Sequence, residues 1–276
     1  MALSLLTNIA SLEAQRNVSN TQSTLASSVE RLSSGMRITH ASDDAAGLAI
    51  SSKLSAELKG IKQAARNCND AVSMIQTAEG GLGEINNLLS RMRELAVAAA
   101  NGGTLGNSER GAINTEYTAL LEEIDRIVAV TTYNGEVLLD GSVSATNFQV
   151  GTFNTANDRL SLTILASGAS TLAINGTDVS TVATAQAALS GLDKAIGAVA
   201  IQRANIGASQ NRLVTTVSNL GTAFNNLSAA NSRIMDADVG EETAAMTRNN
   251  ILLQAGISVL SQANSQPQAA LQLLKG

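Results

Sequence analysis

Residues 189–234 read LSGLDKAIGAVAIQRANIGASQNRLVTTVSNLGTAFNNLSAANSRI. Along this stretch Leu189, Leu192, Ile196, Val199, Arg203, Ile206, Gln210, Leu213, Val217, Leu220, Phe224, Leu227, Asn231 and Ile234 alternate spacings of three and four without a break. That is the heptad period of a helix with one narrow apolar seam, interrupted only by Arg203, Gln210 and Asn231. At ~1.5 Å rise per residue the helix is a rod of roughly 70 Å. A rod with one apolar stripe must cover that stripe, so a partner is expected elsewhere in the chain.

The partner pattern is Leu54, Leu58, Ile61, Ala65, Cys68, Val72 and Ile75. It slips near Gly80, Gly81 and Gly83 and resumes as Leu82, Ile85, Leu89, Met92 and Ala96. A third helix is expected from Ile113 to Val130, with Leu120, Ile124 and Ile127 on one face. Together these predict a mainly α protein, a long antiparallel helical bundle or coiled coil built from both chain ends. Between residues 131 and 186 the pattern changes. Turn pairs occur at Asn134-Gly135, Asp140-Gly141 and Asn175-Gly176. Phe148/Val150 and Leu160/Leu162/Ile164 alternate with period two, as strands do. The reading is a small central region of β-hairpins and loops.

Composition agrees with long, thin helices. The chain of 276 residues has no Trp, two Tyr, three Phe and one Pro, and its apolar mass comes from Ala, Leu, Ile and Val. A net charge of −5, from 18 basic and 23 acidic residues, gives no basic footprint for nucleic acid. The lone Cys68 excludes an intrachain disulfide framework and a cysteine-based zinc site. No basic segment precedes the first apolar residues, so no signal peptide is read. The longest uncharged run, Asn249 to Leu274, is broken by Gln, Asn and Ser, so no membrane insertion is expected.

The two ends form a zone of their own. Met1 to Leu12 and Asn249 to Leu274 carry no charged residue, yet Leu5, Ile9 and Leu12, then Met246, Leu253, Ile257 and Leu260, repeat at helical spacing. A solvated helix face would carry Lys and Glu. These helices are therefore read as buried on several sides, ordering mainly against neighbouring copies of the chain.

Single residues offer little chemistry. Asp43-Asp44 are adjacent on a helix start and cannot face one site; Ser42 or Asp43 is expected to cap that helix. His40 is the only histidine, a surface loop residue without a partner for metal or catalysis. Cys68 falls on the seam as a small core filler. Gly80-Gly81-Leu82-Gly83 lacks the lysine and preceding strand of a phosphate loop and reads as a helix irregularity or a close-packing site. Asn175-Gly176-Thr177 fits the N-glycosylation sequon, and the Ser/Thr-rich stretch from Ser142 to Thr184 offers further hydroxyls. No cofactor or catalytic constellation is visible, and the chain is not read as an enzyme.

Several motifs are familiar. Leu25-Ala-Ser-Ser-Val-Glu-Arg-Leu-Ser-Ser-Gly-Met-Arg-Ile38 and Ala41-Ser-Asp-Asp-Ala-Ala-Gly-Leu-Ala-Ile50 resemble the N-terminal signature of bacterial flagellins. Asn225-Asn-Leu-Ser-Ala-Ala-Asn-Ser-Arg-Ile-Met-Asp-Ala-Asp-Val239, and Gln254-Ala-Gly-Ile-Ser-Val-Leu-Ser-Gln-Ala-Asn264 with Pro267 beyond it, resemble the C-terminal one. The resemblance covers about residues 1–141 and 186–276. It implies a motility protein that self-assembles into the extracellular flagellar filament. Residues 1–43 plus 232–276 would be inner-core terminal helices, with Leu5, Ile9, Leu12, Leu253, Ile257 and Leu260 packing there. Residues 44–141 plus 186–231 would be the outer-core bundle, and 142–185 a short surface β/loop region.

The resemblance also implies partners: the chain itself as a homopolymer, hook-associated junction and cap proteins, and an export chaperone. The chain would leave unfolded through the flagellar type III channel. Leu88-Leu-Ser-Arg-Met-Arg-Glu-Leu-Ala-Val97 is similar to the segment read by the host Toll-like receptor for flagellin and buried between stacked subunits. On that likeness Arg91, Leu95 and Glu116 are contact residues. Two other classes fit less well. A hook–filament junction protein shares terminal helices but generally lacks the full signature set, and a membrane-active type III translocator would need a long apolar segment.

Overall fold

The structure, a computed structural model, describes residues 7–103 and 105–275, with side-chain surroundings through residue 266. Five helices dominate: α1 (Ile9–Ser34), α2 (Ala45–Ala99), α3 (Asn107–Val130), α4 (Val182–Met235) and α5 (Val239–Lys275). Between α3 and α4 lie β1 (Thr132–Tyr133), β2 (Glu136–Val137), β3 (Thr146–Gln149) and β4 (Arg159–Leu162). The chain divides into a terminal unit, residues 1–56 and 226–276, and a bundle unit, residues 57–225. Both divisions fall within long helices, α2 and α4.

The bundle unit holds the core. From α2 it buries Cys68, Ile75, Leu82, Ile85, Leu89, Met92 and Ala96, and from α4 Leu192, Val199, Ile206 and Leu213. These are the seam residues read from the sequence. Polar ties fix the two helices antiparallel: Arg93 Nε donates to Asp193 at 2.7 Å, Arg203 faces Glu79 at 3.6 Å, and the Lys62 ammonium sits 4.9 Å from the Phe224 ring. As numbers fall along α2 they rise along α4. The α3 helix joins through Tyr117 and Ile124, both fully buried. At the turn into α3, the buried Arg110 guanidinium donates twice to the Leu105 carbonyl, at 2.9 and 2.7 Å. A buried charge bonded to backbone carbonyls holds that connection closed.

The expected slip at the glycines does not occur. Helix α2 runs unbroken through Gly80, Gly81 and Gly83. Of the two readings, close packing applies, and only at Gly81. A Cβ there would meet Leu139 Cδ1 and Thr131 Oγ1, each at 2.8 Å, whereas Gly80 and Gly83 have nothing within 4 Å. The missing side chain lets the segment after α3 lie against α2.

The central region contains two antiparallel hairpins, β1–β2 and β3–β4. Asn134 (φ 49°) and Gly135 (φ 86°) turn the first, as the left-handed conformation of an Asn-Gly pair allows. In the second, Phe148 pairs with Leu160. This region is more than surface loop, because Leu160, Leu162, Ile164, Ile174 and Val179 enter the core cluster. Helices α3 and α4 also tether its backbone. Asn114 Oδ1 accepts from Val179 N at 2.9 Å, Asp125 Oδ1 from Ala169 N at 2.8 Å, and Gln202 Nε2 donates to Leu165 O at 2.8 Å. The Tyr117 hydroxyl lies 2.7 Å from Thr177 Oγ1, and burial raises its pKa against that opposing hydrogen bond.

Two outcomes test this packing. Leu89→Ala removes a fully buried side chain and should cost about 2–5 kcal/mol in urea unfolding. The glycines should separate: Gly81→Val destabilises by about 1–3 kcal/mol, while Gly80→Ala, in open space on a helix, stabilises by roughly 0.8–1 kcal/mol.

Candidate functional site

In the terminal unit α1 and α5 pack against each other, from Asn8 beside Ala263 to Arg31 beside Glu242. Their covered faces are heptad seams made largely of small or polar residues. On α1 the covered positions are Ser11, Ala14, Val18, Thr21, Leu25, Ser28 and Leu32; on α5 they are Glu242, Met246, Asn249, Leu253, Gly256, Leu260 and Ala263. Small residues let the two helices approach closely. A Cβ on Gly256 would meet Val18 Cγ2 at 2.8 Å. Asn8 Nδ2 donates to Ala263 O at 2.8 Å, Ser11 Oγ to Asn264 Oδ1 at 2.6 Å, and Arg31 to Glu242 at 3.2 Å, which sets an antiparallel register. The same Asn8 caps α1, its Oδ1 accepting from Ser11 N at 3.1 Å.

The seam takes in Val18, Leu25, Leu32, Met246, Leu253 and Leu260 among its small residues, but other large aliphatic residues lie outside it. Ile9 is 68 % exposed, Ile251 62 % and Ile257 54 %, and Leu12, Leu252 and Val259 are also more than half exposed. Of the terminal positions singled out from the sequence, Leu253 and Leu260 sit on the seam, Ile9, Leu12 and Ile257 face outward, and Leu5 lies outside the described residues. Outward aliphatic residues on a segment with so little charge form an apolar surface of the kind that marks an interaction site.

The connectors beside these helices are fastened to each other. Met36 pairs with Asp236 as an isolated antiparallel bridge, Arg37 N donates to Met235 O at 2.6 Å, and Ala237 N donates to Gly35 O at 3.0 Å. Gly35, at φ 70°, closes α1 in the left-handed conformation. The cap of α2 differs from the expected one. Asp44, rather than Ser42 or Asp43, caps it, accepting from Gly47 N at 2.8 Å. Asp43 instead gathers the preceding loop, accepting from His40 N at 3.0 Å and Thr39 N at 3.1 Å; those two bonds hold its carboxyl below the usual aspartate range. His40 is exposed, with Glu30 at 3.6 Å.

On the bundle unit Arg91 and Glu116 do come together. Arg91 Nη2 and Nε donate to Glu116 Oε1 at 2.8 and 3.0 Å, and Nη1 donates to Glu94 at 3.1 Å. Glu116 first, then Glu94, raises the Arg91 pKa above the ordinary arginine value. Leu95 does not join them as a surface residue. It is 7 % exposed and belongs to the core, because it follows Met92 by three positions on the covered face of α2. Asn175 is exposed on its turn, but Thr177 of the same sequon is engaged, its hydroxyl donating to Ile174 O at 2.6 Å. Cys68 is fully buried, and desolvation raises its thiol pKa. Among the described residues no cluster of His, Cys, Asp and Glu could hold a metal, and no helix is long and apolar enough to cross a membrane.

The chain is similar to known proteins along nearly its whole length. Residues 5–144 match the bacterial flagellin N-terminal helical region, and residues 189–274 match the C-terminal helical region. A flagellin of Halalkalibacterium halodurans is 44 % identical over 97 % of this chain and 98 % of its own. One from Bacillus subtilis is 41 % identical over the same shares. The crystal structure of Bacillus cereus flagellin superposes with a TM-score of 0.51 at 32 % identity, covering 56 % of this chain and 88 % of that one. By both terminal regions and by whole-chain identity, the chain belongs to the bacterial flagellins, structural rather than catalytic proteins that build the extracellular flagellar filament.

Proposed function

We propose that this chain polymerises with itself through the outward aliphatic faces of α1 and α5, and that these paired helices line the inner tube of the filament. The exposed Ile9, Leu12, Ile251, Leu252, Ile257 and Val259 carry the reading. Burying each such side chain in a neighbour is worth about 1.5–3 kcal/mol. In the isolated pair the seam's larger residues, Val18, Leu25, Leu32, Met246, Leu253 and Leu260, are only half-buried among Ser, Ala, Thr and Gly, so much apolar area stays uncovered. The α1–α5 pair is therefore stabilised mainly by neighbouring subunits, and the bundle unit, with its own core, forms the outer tube. Hook-associated junction and cap proteins would meet the same terminal faces at the filament's ends. Export unfolded through the type III channel, with a chaperone on the C-terminal segment, belongs to the same reading.

A second surface is proposed at Arg91 and Glu116. Both are exposed and joined in one charge-assisted cluster, the kind of anchor an interface uses. Its occupants would be a stacked subunit in the filament and a host Toll-like receptor in the monomer. Leu95 would contribute by supporting the helix from the core. Glycosylation at Asn175 would have to precede folding, since its sequon threonine is tied down in the folded chain.

Ile257→Ala should change monomer stability by less than about 0.5 kcal/mol yet slow seeded filament growth, followed by light scattering and electron microscopy. Limited proteolysis should cut α1 and α5 faster in monomer than in filament; equal resistance would overturn the dependence on neighbours. Arg91→Ala should weaken capture of monomer by the receptor ectodomain, and unchanged capture would remove that partner.

A further inference from the structure

The chain contains three Asn-Gly pairs, Asn101-Gly102, Asn134-Gly135 and Asn175-Gly176. In such a pair the glycine's backbone nitrogen can attack the asparagine's own side-chain amide, because no Cβ on the following residue blocks the approach. Whether it does so depends on how the folded chain holds the two groups, and the three pairs are held very differently.

Two are locked into turns the fold requires. Asn134 and Gly135 are both left-handed and close the β1–β2 hairpin, with Thr132 paired to Val137 and Tyr133 to Glu136. Swinging Asn134 toward its glycine nitrogen would break that turn. Asn175 and Gly176 (φ 72°) are the central residues of a turn closed by Thr177 N donating to Ile174 O at 3.2 Å. Asn175 N also donates to Ala169 O at 3.1 Å, and Tyr117 fixes Thr177 from below.

Asn101 is the exception. It lies just past α2, and residues 101–103 are all exposed. Its Oδ1 accepts from Gly103 N at 3.1 Å. That bond folds the side chain over the peptide that follows, bringing Cγ toward Gly102 N, and it draws electron density from the carbonyl carbon to be attacked. Among the described residues the Gly102 N–H donates to no acceptor, so no hydrogen bond has to break before it reacts.

We propose that Asn101 is a site of spontaneous deamidation, and that it reacts ahead of the other two pairs in the folded chain. Solvent base takes the proton from Gly102 N, which forms a bond to Asn101 Cγ. The bond from Cγ to the amide nitrogen breaks, and the nitrogen leaves as ammonia after taking up a proton. The resulting five-membered succinimide is opened by one water molecule at either carbonyl, giving an aspartyl or an isoaspartyl linkage at position 101. No oxidant, metal or enzyme is needed. The product adds one negative charge, and the isoaspartyl form adds a methylene to the backbone. Both changes fall on the α2–α3 connection, where the Asn101 carbonyl lies 3.5 Å from the Arg110 guanidinium.

The full-length monomer should be incubated in mildly alkaline buffer, digested, and its peptides followed by mass spectrometry. Isoaspartate is counted separately by enzymatic methylation with a labelled methyl donor. The peptide bearing Asn101 should gain the deamidation mass severalfold faster than those bearing Asn134 and Asn175. In urea the three rates should converge, because the folded surroundings that separate them are gone. Gly102→Ala should slow the reaction at position 101 severalfold at unchanged helix content. Asn101→Gln should abolish the isoaspartate signal from that peptide. An unmodified Asn101, a folded-state rate at or below those of the other two pairs, or a rate order that persists in urea would each overturn the proposal.

Discussion

Water leaves the seam between α2 and α4 when their aliphatic side chains interlock, and the rest of the bundle unit is built on the surface so formed. Leu82, Ile85, Leu89 and Met92 meet a core completed by Leu192, Val199 and Ile206, with no aromatic residue of α2 or α4 among those fully buried. Long helices with narrow stripes suit this, since each turn adds a little burial and no single residue must supply much. The α3 helix and both hairpins then use what the seam leaves open. Tyr117 plugs the inner side of α3, and Gly81 gives up its side chain so that Thr131 and Leu139 can approach α2. The seam sets where these neighbours may lie, and their polar groups secure the positions.

The terminal unit follows a different rule. Its helices meet through Ser11, Ala14, Thr21, Ser28, Gly256 and Ala263, which bring the backbones together, and through Val18, Leu25, Leu253 and Leu260, which are only half-buried. Close approach sharpens the register, while Ile9, Leu12, Ile251 and Ile257 stay outside. A surface that would be a liability on a solitary protein fits a subunit whose neighbours are copies of itself.

The bundle was legible in the sequence because its stripe repeats with the helix period, and large aliphatic residues make that period visible. The hairpin turns were legible for a similar reason, since Asn134-Gly135 carries its conformation in its composition. The α1–α5 seam was legible only at Met246, Leu253 and Leu260, because serine, alanine and threonine at heptad positions look like ordinary surface. The outward Ile9 and Ile257 repeat at the same helical spacing, so the sequence alone does not separate them from the seam. Tethers such as Asn114 to Val179 and Asp125 to Ala169 left no trace either, since a side chain bonded to a distant backbone has no local pattern. Two local readings missed by a small step. The cap fell to Asp44 because the preceding carboxylate was already committed to the Thr39–His40 loop, and Leu95 went inward because the covered face of α2 is wider than its heptad stripe.

The antiparallel pairing of α1 with α5 joins residues as distant as Asn8 and Ala263, 255 positions apart. Contacts of that separation give the terminal unit a high contact order, and the entropy of closing so large a loop must be met before any of them stabilises the chain. The first helix therefore has no lasting partner while the rest of the chain is out of reach. The terminal unit stays unpaired until residues near both ends of the chain are present together. The topology itself thus delays folding of that unit.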